Sequence, residues 1–186
     1  MKKHSRIPGS VLDGVDWSCW SVVMLKPDCL RRGLVDKVLD RIGEHERIVT
    51  REEVTVADWQ IHVHYWDLLV DRDWFSIDVV SYLRRTYTGQ KVVIALVHGG
   101  AGTPERVRAL LGHYDPAVAK AGTIRGDLGD DSQEKSRAEG RLIENLVHTS
   151  DDPPTVCRDF GTWFGADRHE LLFPSGPSAS AQETSS

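Results

Sequence analysis

Val92–Val97 is a run of six apolar residues, Val-Val-Ile-Ala-Leu-Val, with no polar position to turn toward water. It is bounded by the turn Thr88-Gly89-Gln90-Lys91 and by Gly99, Gly100 and Gly102, so it reads as a strand buried on both faces. A strand of that kind demands a sheet with cover above and below. Trp20–Leu25 is a second β-like apolar run and reads as a central strand. Lys26-Pro27-Asp28 stops it: Pro27 has no N–H and biases Lys26 away from helix, which holds the lysine extended at the strand end.

The rest of the chain falls into place around these two runs. Leu34, Val35, Val38, Leu39 and Ile42 have helical spacing, with Gly33 before them and Gly43 near their end. Residues 48–56 predict a strand in which Val54 and Val56 alternate. Asp58 reads as the N-cap of a helix holding Trp59, Val63, Trp66 and Leu69 or Val70, and a second short helix is expected from about Trp74 to Arg85, with Ile77, Val80, Tyr82 and Leu83. Thr103-Pro104-Glu105 supplies an N-cap, a proline at the first helical position and an acidic first turn for a helix that carries Val107, Leu110 and Leu111 and stops at Gly112. Residues 115–127 have no clear period, and 128–143 are polar and charged. Leu146 and Val147 predict a short buried strand that ends at His148, and Asp151-Asp152-Pro153-Pro154 starts a last helix with Val156, Phe160, Trp163 and Phe164 on one face.

This order is βαββαβ with an added helical hairpin. It predicts an α/β (α+β) ferredoxin-like fold with a four-stranded antiparallel sheet, and periodicity alone leaves a small doubly wound sheet as the rival. A chain of 186 residues fits one domain, over 17–173, between a loose leader at 1–16 and a Ser/Gly/Pro/Ala-rich tail at 174–186 that is expected to be disordered. The net charge of -5 gives no global basic field, so nucleic acid is not an expected partner. Cys19, Cys29 and Cys157 lack metal-like spacing and read as free thiols in a reducing cytoplasm. No apolar run is long enough for a membrane span, and no apolar stretch of the secretory kind follows Lys2, Lys3 and Arg6, so a cytoplasmic location is expected.

A histidine at a strand end has a fixed backbone and a ring that can face a cleft, which suits a nucleophile. His148 is the candidate, within Asn145-Leu146-Val147-His148-Thr149-Ser150-Asp151. Phosphoryl transfer also needs cations on the phosphates, and Lys26, Arg108 and Arg125 are the candidates; taken singly, each reads as a surface cation. Neither a Walker A pattern nor the protein-kinase signatures occur, so phosphoryl chemistry must run on another scaffold.

Lys26-Pro27-Asp28, Arg32-Gly33-Leu34, Thr123-Ile124-Arg125-Gly126-Asp127 and Asn145-x-x-His148-x-Ser150-Asp151 occur in the order found in nucleoside diphosphate kinases, and the chain resembles that family over about residues 17–165. The resemblance implies transfer of a γ-phosphoryl group from a nucleoside triphosphate to a diphosphate through phospho-His148. Lys26, Arg108 and Arg125 would then be phosphate ligands, Tyr65 the active-site tyrosine, Asn145 a contact at the ribose and phosphate end, and Trp74 the ring that stacks on the base. Asp159 falls where the family uses a Glu to hold the other ring nitrogen of the His, and Ser150 would steady the same site. Mg²⁺ would ride on the phosphates, with no metal-binding residues of the protein's own, and the chain would form a homo-oligomer, a hexamer or tetramer built from dimers. Three features depart from the family: Tyr114 in place of a phosphate-binding Thr, Glu144 in place of an Arg, and the long segment 128–143. They leave two alternatives open, a nucleotide-binding protein of this fold with reduced or lost kinase activity and a pathway-specific variant with narrow nucleotide choice. The segment 128–143 is pinned at both ends by catalytic stretches, which suggests that it shapes the nucleotide pocket.

Overall fold

The computed structural model describes residues 11–70 and 78–173. A 3₁₀ turn at Trp17–Cys19, capped by Asp16, leads into strand β1, Trp20–Leu25. Helices α1, Pro27–Arg31, and α2, Val35–Gly43, follow, then strand β2, Arg47–Thr55. The helical hairpin is α3, Asp58–His64, with α4, Trp66–Val70, and α5, Val79–Tyr87. Strand β3, Lys91–His98, precedes helix α6, Thr103–Leu111. Two short helices, α7 (Ile124–Leu128) and α8 (Gln133–Ala138), come before strand β4, Val147–Thr149, and helix α9, Pro153–Trp163.

The four strands form one sheet in the order β2-β3-β1-β4, with every neighbouring pair antiparallel. This is the ferredoxin-like arrangement expected from the order of elements, and the doubly wound alternative is excluded. Side chains alternate between faces along each strand. Val22, Met24, Val92, Ile94 and Leu96 therefore enter one core with Ile61, Leu83, Val156 and Phe160 from α3, α5 and α9. Val23, Leu25, Val93, Ala95 and Val97 enter the other with Val38, Leu39, Ile42, Val107, Leu111 and Ile124 from α2, α6 and α7. Cover on both faces is why β3 carries an unbroken apolar run, and β1 one broken only at Ser21, in an antiparallel sheet.

Several boundaries differ from the sequence expectation. Ala57, not Asp58, is the N-cap of α3, and the core face is Ile61 and His64, while Trp59 and Trp66 are each 57% exposed. Asp58 instead ties α5 to α3 through a two-point contact with Arg84, at 2.7 and 3.1 Å. In α5 the buried positions are Val79, Leu83 and Tyr87, one every fourth residue, and Val80 is exposed. Helix α6 begins one residue early because Gly102, at φ +83°, takes the left-handed turn that lets Thr103 enter the helix. Strand β4 runs through His148 instead of ending there, and Leu146 lies outside it. The helices α7 and α8 have no apolar period to announce them; Thr123 and Ser132 start them by accepting the N–H groups of Gly126 and Lys135. The leader up to residue 10, Trp74 and Ile77, and the tail from 174 lie outside the described residues.

Phe160, on the face of α9 that packs on β1, is fully buried, with its ring 5.6 Å from Trp17 and 5.5 Å from Phe164. Phe160→Ala is expected to destabilise the fold by about 3–5 kcal/mol in urea unfolding. A loss below about 1 kcal/mol would mean that α9 does not seal this face of the sheet.

Candidate active site

The site is built around the turn that delivers His148. Leu146 has φ +68°, the left-handed region, and is the one described non-glycine residue with a positive φ. Val147 donates its N–H to Asn145 O at 2.8 Å, closing a γ-turn over Leu146. Such a backbone persists only where its surroundings over-determine it. Here Leu146 N–H donates to the buried Asp28 carboxylate at 2.8 Å, and Leu146 O accepts the N–H of Lys26 at 2.9 Å. The turn is thus pinned by Lys26-Pro27-Asp28. His148 then pairs with Met24 in the sheet, so its ring leaves on the Met24 side, toward α3 and α9.

Arg125 clamps the same turn from the other side. Its guanidinium donates to Asn145 O at 3.3 Å, to Val147 O at 2.6 Å and to Gly112 O at 3.0 Å. Burial, followed by the nearby Arg108, brings its pKa down to about 10, so it stays cationic at neutral pH. Gly126 makes this placement possible: a Cβ there would run into the Lys120 carbonyl. Lys26 is buried too, and its ammonium donates to Asn145 Oδ1 at 2.9 Å and Ile143 O at 3.1 Å. Burial lowers its pKa, with Asp28 opposing. Asn145 is fixed at its other end by donating Nδ2–H to Tyr114 O at 2.7 Å. Arg108 is half exposed and forms an ion pair with Asp151.

The His148 ring is met by two aromatic neighbours, Tyr65 at 5.3 Å and His64 at 4.6 Å, the latter edge-on at 75°. Burial pushes the His148 pKa well below 6.5, reinforced by His64, Arg125 and Lys26 and opposed by Asp159. The ring is therefore neutral at neutral pH, the form that carries a nucleophilic lone pair. The Tyr65 hydroxyl contacts that of Tyr87 at 3.3 Å, and burial pushes its pKa up to about 12. Asp159 is fully buried and accepts from Ser150 Oγ at 2.8 Å and Arg158 Nε at 3.2 Å; its Oδ1 also lies 3.2 Å from His64 Nδ1. Burial alone would raise its pKa, but His64, Arg158 and Ser150 hold it below the usual value. Its hydrogen bonds among the described residues go to these groups and not to His148.

The long segment 128–143 is tied to this scaffold. Asp131 is buried and receives Arg141 through both of its oxygens, at 2.5 and 2.9 Å, and the N–H of Glu144 at 2.9 Å. Asp130 pairs with Arg32, the C-cap of α1, and Glu144 with Arg31, its last residue. The Tyr114 hydroxyl donates to Gln133 Oε1 at 3.0 Å, and Asp115 accepts the Gln133 N–H at 3.2 Å.

Lys26, Tyr65, Arg125, Asn145, His148, Ser150 and Asp159 are thus brought together, with Arg108 at the rim. Tyr114 contributes its carbonyl to Asn145 and sends its side chain to α8. Trp74 lies outside the described residues. Sequence reasoning missed Asp28 as the anchor of the turn, Gly112 as a ligand of Arg125, and His64. The signal for His64 was available in part: Asp159 and Trp163 are one helical turn apart on α9 and both reach it.

A family model described as nucleoside diphosphate kinase matches residues 20–169. A nucleoside diphosphate kinase of Chloroflexus aurantiacus is 33% identical over 152 residues, covering 82% of this chain and 89% of the relative. One from a Nocardioides species is 35% identical over 145 residues, covering 77% and 95%. Among solved structures, a transition-state mimic of the Borrelia burgdorferi nucleoside-diphosphate kinase with bound vanadate and ADP superposes with a TM-score of 0.71 at 28% identity, covering 78% of this chain and 86% of that one. An NDP kinase from Pyrobaculum aerophilum gives 0.67 at 29% identity, covering 78% and 95%. The chain belongs to the nucleoside diphosphate kinase family. It is a phosphotransferase of that family.

Asp28→Ala leaves the Leu146 N–H buried without its acceptor, and a loss of about 1–3 kcal/mol is expected in chemical unfolding. Asp28→Asn, which keeps an acceptor oxygen, is expected to lose less. Equal stability of Asp28→Ala and the parent protein would show that the turn holds without this anchor.

Proposed function

We propose that this kinase works by a ping-pong mechanism through phospho-His148. The observation that carries the reading is a neutral, backbone-fixed imidazole set among the buried cations Lys26 and Arg125. The lone pair of the unprotonated His148 nitrogen attacks the γ-phosphorus of a nucleoside triphosphate. The N–P bond forms as the bond from phosphorus to the β,γ-bridging oxygen breaks, and that oxygen leaves on the diphosphate with the electron pair. The other ring nitrogen keeps its proton throughout. A terminal oxygen of a second diphosphate then attacks the phosphohistidine, the O–P bond forms, and the N–P bond breaks back to the imidazole. Lys26, Arg108 and Arg125 offset the charge that builds on the transferring oxygens, Asn145 orients the phosphate end, and Tyr65 walls the ring.

Mg²⁺ belongs to the same proposal. The described residues hold no cluster of three or more His, Cys, Asp or Glu side chains that could cage a metal. Asp151 is occupied by Arg108 and Asp159 by His64, Ser150 and Arg158. This donor set fits a cation that arrives on the nucleotide's phosphates, where it supplies charge neutralisation. A homo-oligomer built from dimers and a cytoplasmic location complete the reading. They rest on the family resemblance, and no helix of the described residues is long and apolar enough to cross a membrane.

His148→Ala is expected to bind nucleotide yet form no acid-labile phosphoenzyme from labelled ATP; turnover at the parent rate would remove His148 from the mechanism. Arg125→Ala is expected to lower kcat/KM at least tenfold, on the order of 1.4 kcal/mol, and an unchanged value would take Arg125 out of the phosphate site. Because the folded His148 pKa is depressed, its neutral fraction does not fall as pH drops from about 8 through 6.5. Phosphoenzyme formation in stopped-time assays should stay level over that range. A halving centred at pH 6.5, the ordinary histidine value, would contradict a buried, neutral nucleophile.

A further inference from the structure

His64 is a buried titratable group that the mechanism above does not use. It ends α3, its side chain has no exposure, and its ring stands edge-on to His148 at 4.6 Å between centroids. Its Nε2 is buried and has no hydrogen-bond partner among the described residues. Its Nδ1 is met from α9 by two groups, Asp159 Oδ1 at 3.2 Å and the indole N–H of Trp163 at 3.2 Å. The carboxylate can only accept from a ring N–H, and the indole can only donate to a ring lone pair, so Nδ1 serves one of them at a time. Both arrangements lock the plane of the ring. A buried unpartnered nitrogen is costly, and a phenylalanine of nearly the same shape would avoid that cost. A histidine here is explained by what its nitrogens do in the site.

We propose that His64 is the positioning residue of the nucleophile, transmitting the anchorage of Asp159 and Ser150 to the His148 ring. The chain of contacts is continuous. Ser150 Oγ donates to Asp159 Oδ2 at 2.8 Å, Asp159 Oδ1 faces His64 Nδ1, and the His64 ring abuts His148. Asp159 itself bonds to Ser150, Arg158 and His64, so its hold on the nucleophile passes through the second imidazole. Arg158 closes the arrangement by donating to His64 O at 3.1 Å, which fixes the end of α3 against α9. With its plane fixed, His64 restricts the tilt of the His148 ring and so selects which nitrogen meets the γ-phosphorus. Its electrostatic effect also opposes a proton on His148. The charged and titratable groups facing His148 are His64 and Tyr65 from the α3 end, Asp159 from α9, Lys26 from the end of β1, and Arg125 from α7. Of these, Asp159 favours a proton on His148, while His64, Arg125 and Lys26 oppose it.

The inference rests on His148 as the phosphorylated residue, and the test separates the two. His64→Phe keeps the ring and removes both nitrogens. Rapid-quench measurement of phosphoenzyme formation from labelled ATP should show a roughly tenfold slower step at neutral pH with nucleotide affinity within about twofold of the parent. The acid limb of its pH profile should move to higher pH, because the imidazole that opposed protonation of His148 is gone. A merely structural role would leave that limb where it was. The double variant His64→Phe/Asp159→Asn should be no slower than His64→Phe alone, since Asp159 acts through His64. Should the phenylalanine variant not fold, His64→Gln is read by the same profile with the same expected direction. A parent rate and an unmoved acid limb in the His64 variant, or rate losses that multiply in the double variant, would overturn the proposal. In those cases His148→Ala, which should form no phosphoenzyme, still stands for the nucleophile. A phosphoenzyme that survives in His148→Ala would instead sink the reading beneath it.

Discussion

The backbone at Leu146 is the constraint on which the site depends. A buried leucine held at φ +68° costs on the order of 1–3 kcal/mol, and nothing in its own side chain favours it. The surrounding groups compel it. Asp28 takes its N–H, Lys26 supplies an N–H to its carbonyl, and Arg125 takes the carbonyls of Asn145 and Val147 on either side. The leucine side chain is meanwhile sunk in the core beside Leu25 and Ile124. The same groups that bear on phosphate chemistry are therefore the groups that shape the turn. Arg125 has five N–H donors, and three are spent on carbonyls among the described residues. One remains on each terminal nitrogen, which is the fork that a phosphate oxygen pair can accept.

Burial sets the electrostatics of this corner. Lys26, Arg125 and His148 are crowded in a space where charge is poorly solvated; Arg125 retains its charge, the imidazole does not, and at Lys26 burial works against the charge while Asp28 supports it. Asp28 and Asp159 supply the compensating negative charge from opposite sides of the sheet's end. In the proposed mechanism a triphosphate entering here adds a further anionic partner for Lys26 and Arg125. The ordered backbone lets it meet donors already aimed, with little rearrangement at the moment of transfer.

Much of this was legible from the chain. The apolar runs of β1 and β3, the helical spacing of α2 and the Asp152-Pro153 start of α9 are strong periodic or capping signals, and all four elements lie where they were expected. The site motifs were legible as a set because they occur in a family order. What escaped the sequence is tertiary. Trp59 and Trp66 share a helical stripe with Val63, yet the hairpin turns Ile61 and His64 inward and leaves both indoles exposed, because propensity says nothing about which stripe faces the sheet. Helices α7 and α8 are too short and polar for a period and exist through the caps Thr123 and Ser132. The γ-turn at Leu146 follows from contacts with residues more than a hundred positions away, which no local pattern records. The partner of Asp159 is set by how α3 and α9 pack, and its contact with His64 is one that no motif records.

The three departures from the family pattern form one connected structure. Glu144 puts a carboxylate beside Asn145, but its side chain reaches out to Arg31, and its N–H is fixed by Asp131. Asp131 is in turn held by Arg141, from the far end of the long segment. Tyr114 is too large to sit where a threonine would, and its hydroxyl is taken up by Gln133, which exists only because the segment does. The same Tyr114 gives its carbonyl to Asn145, and Asn145 gives its oxygen to Lys26. A change at Tyr114 or Glu144 alone would leave a polar group facing the site; together with the segment, each has a partner outside it. The segment thus supports the end of the site from which Asn145 and Lys26 act, and it does so through a buried ion pair and a helix cap. That architecture keeps the Asn145–Lys26 contact intact and ties the departures to one another at its edge.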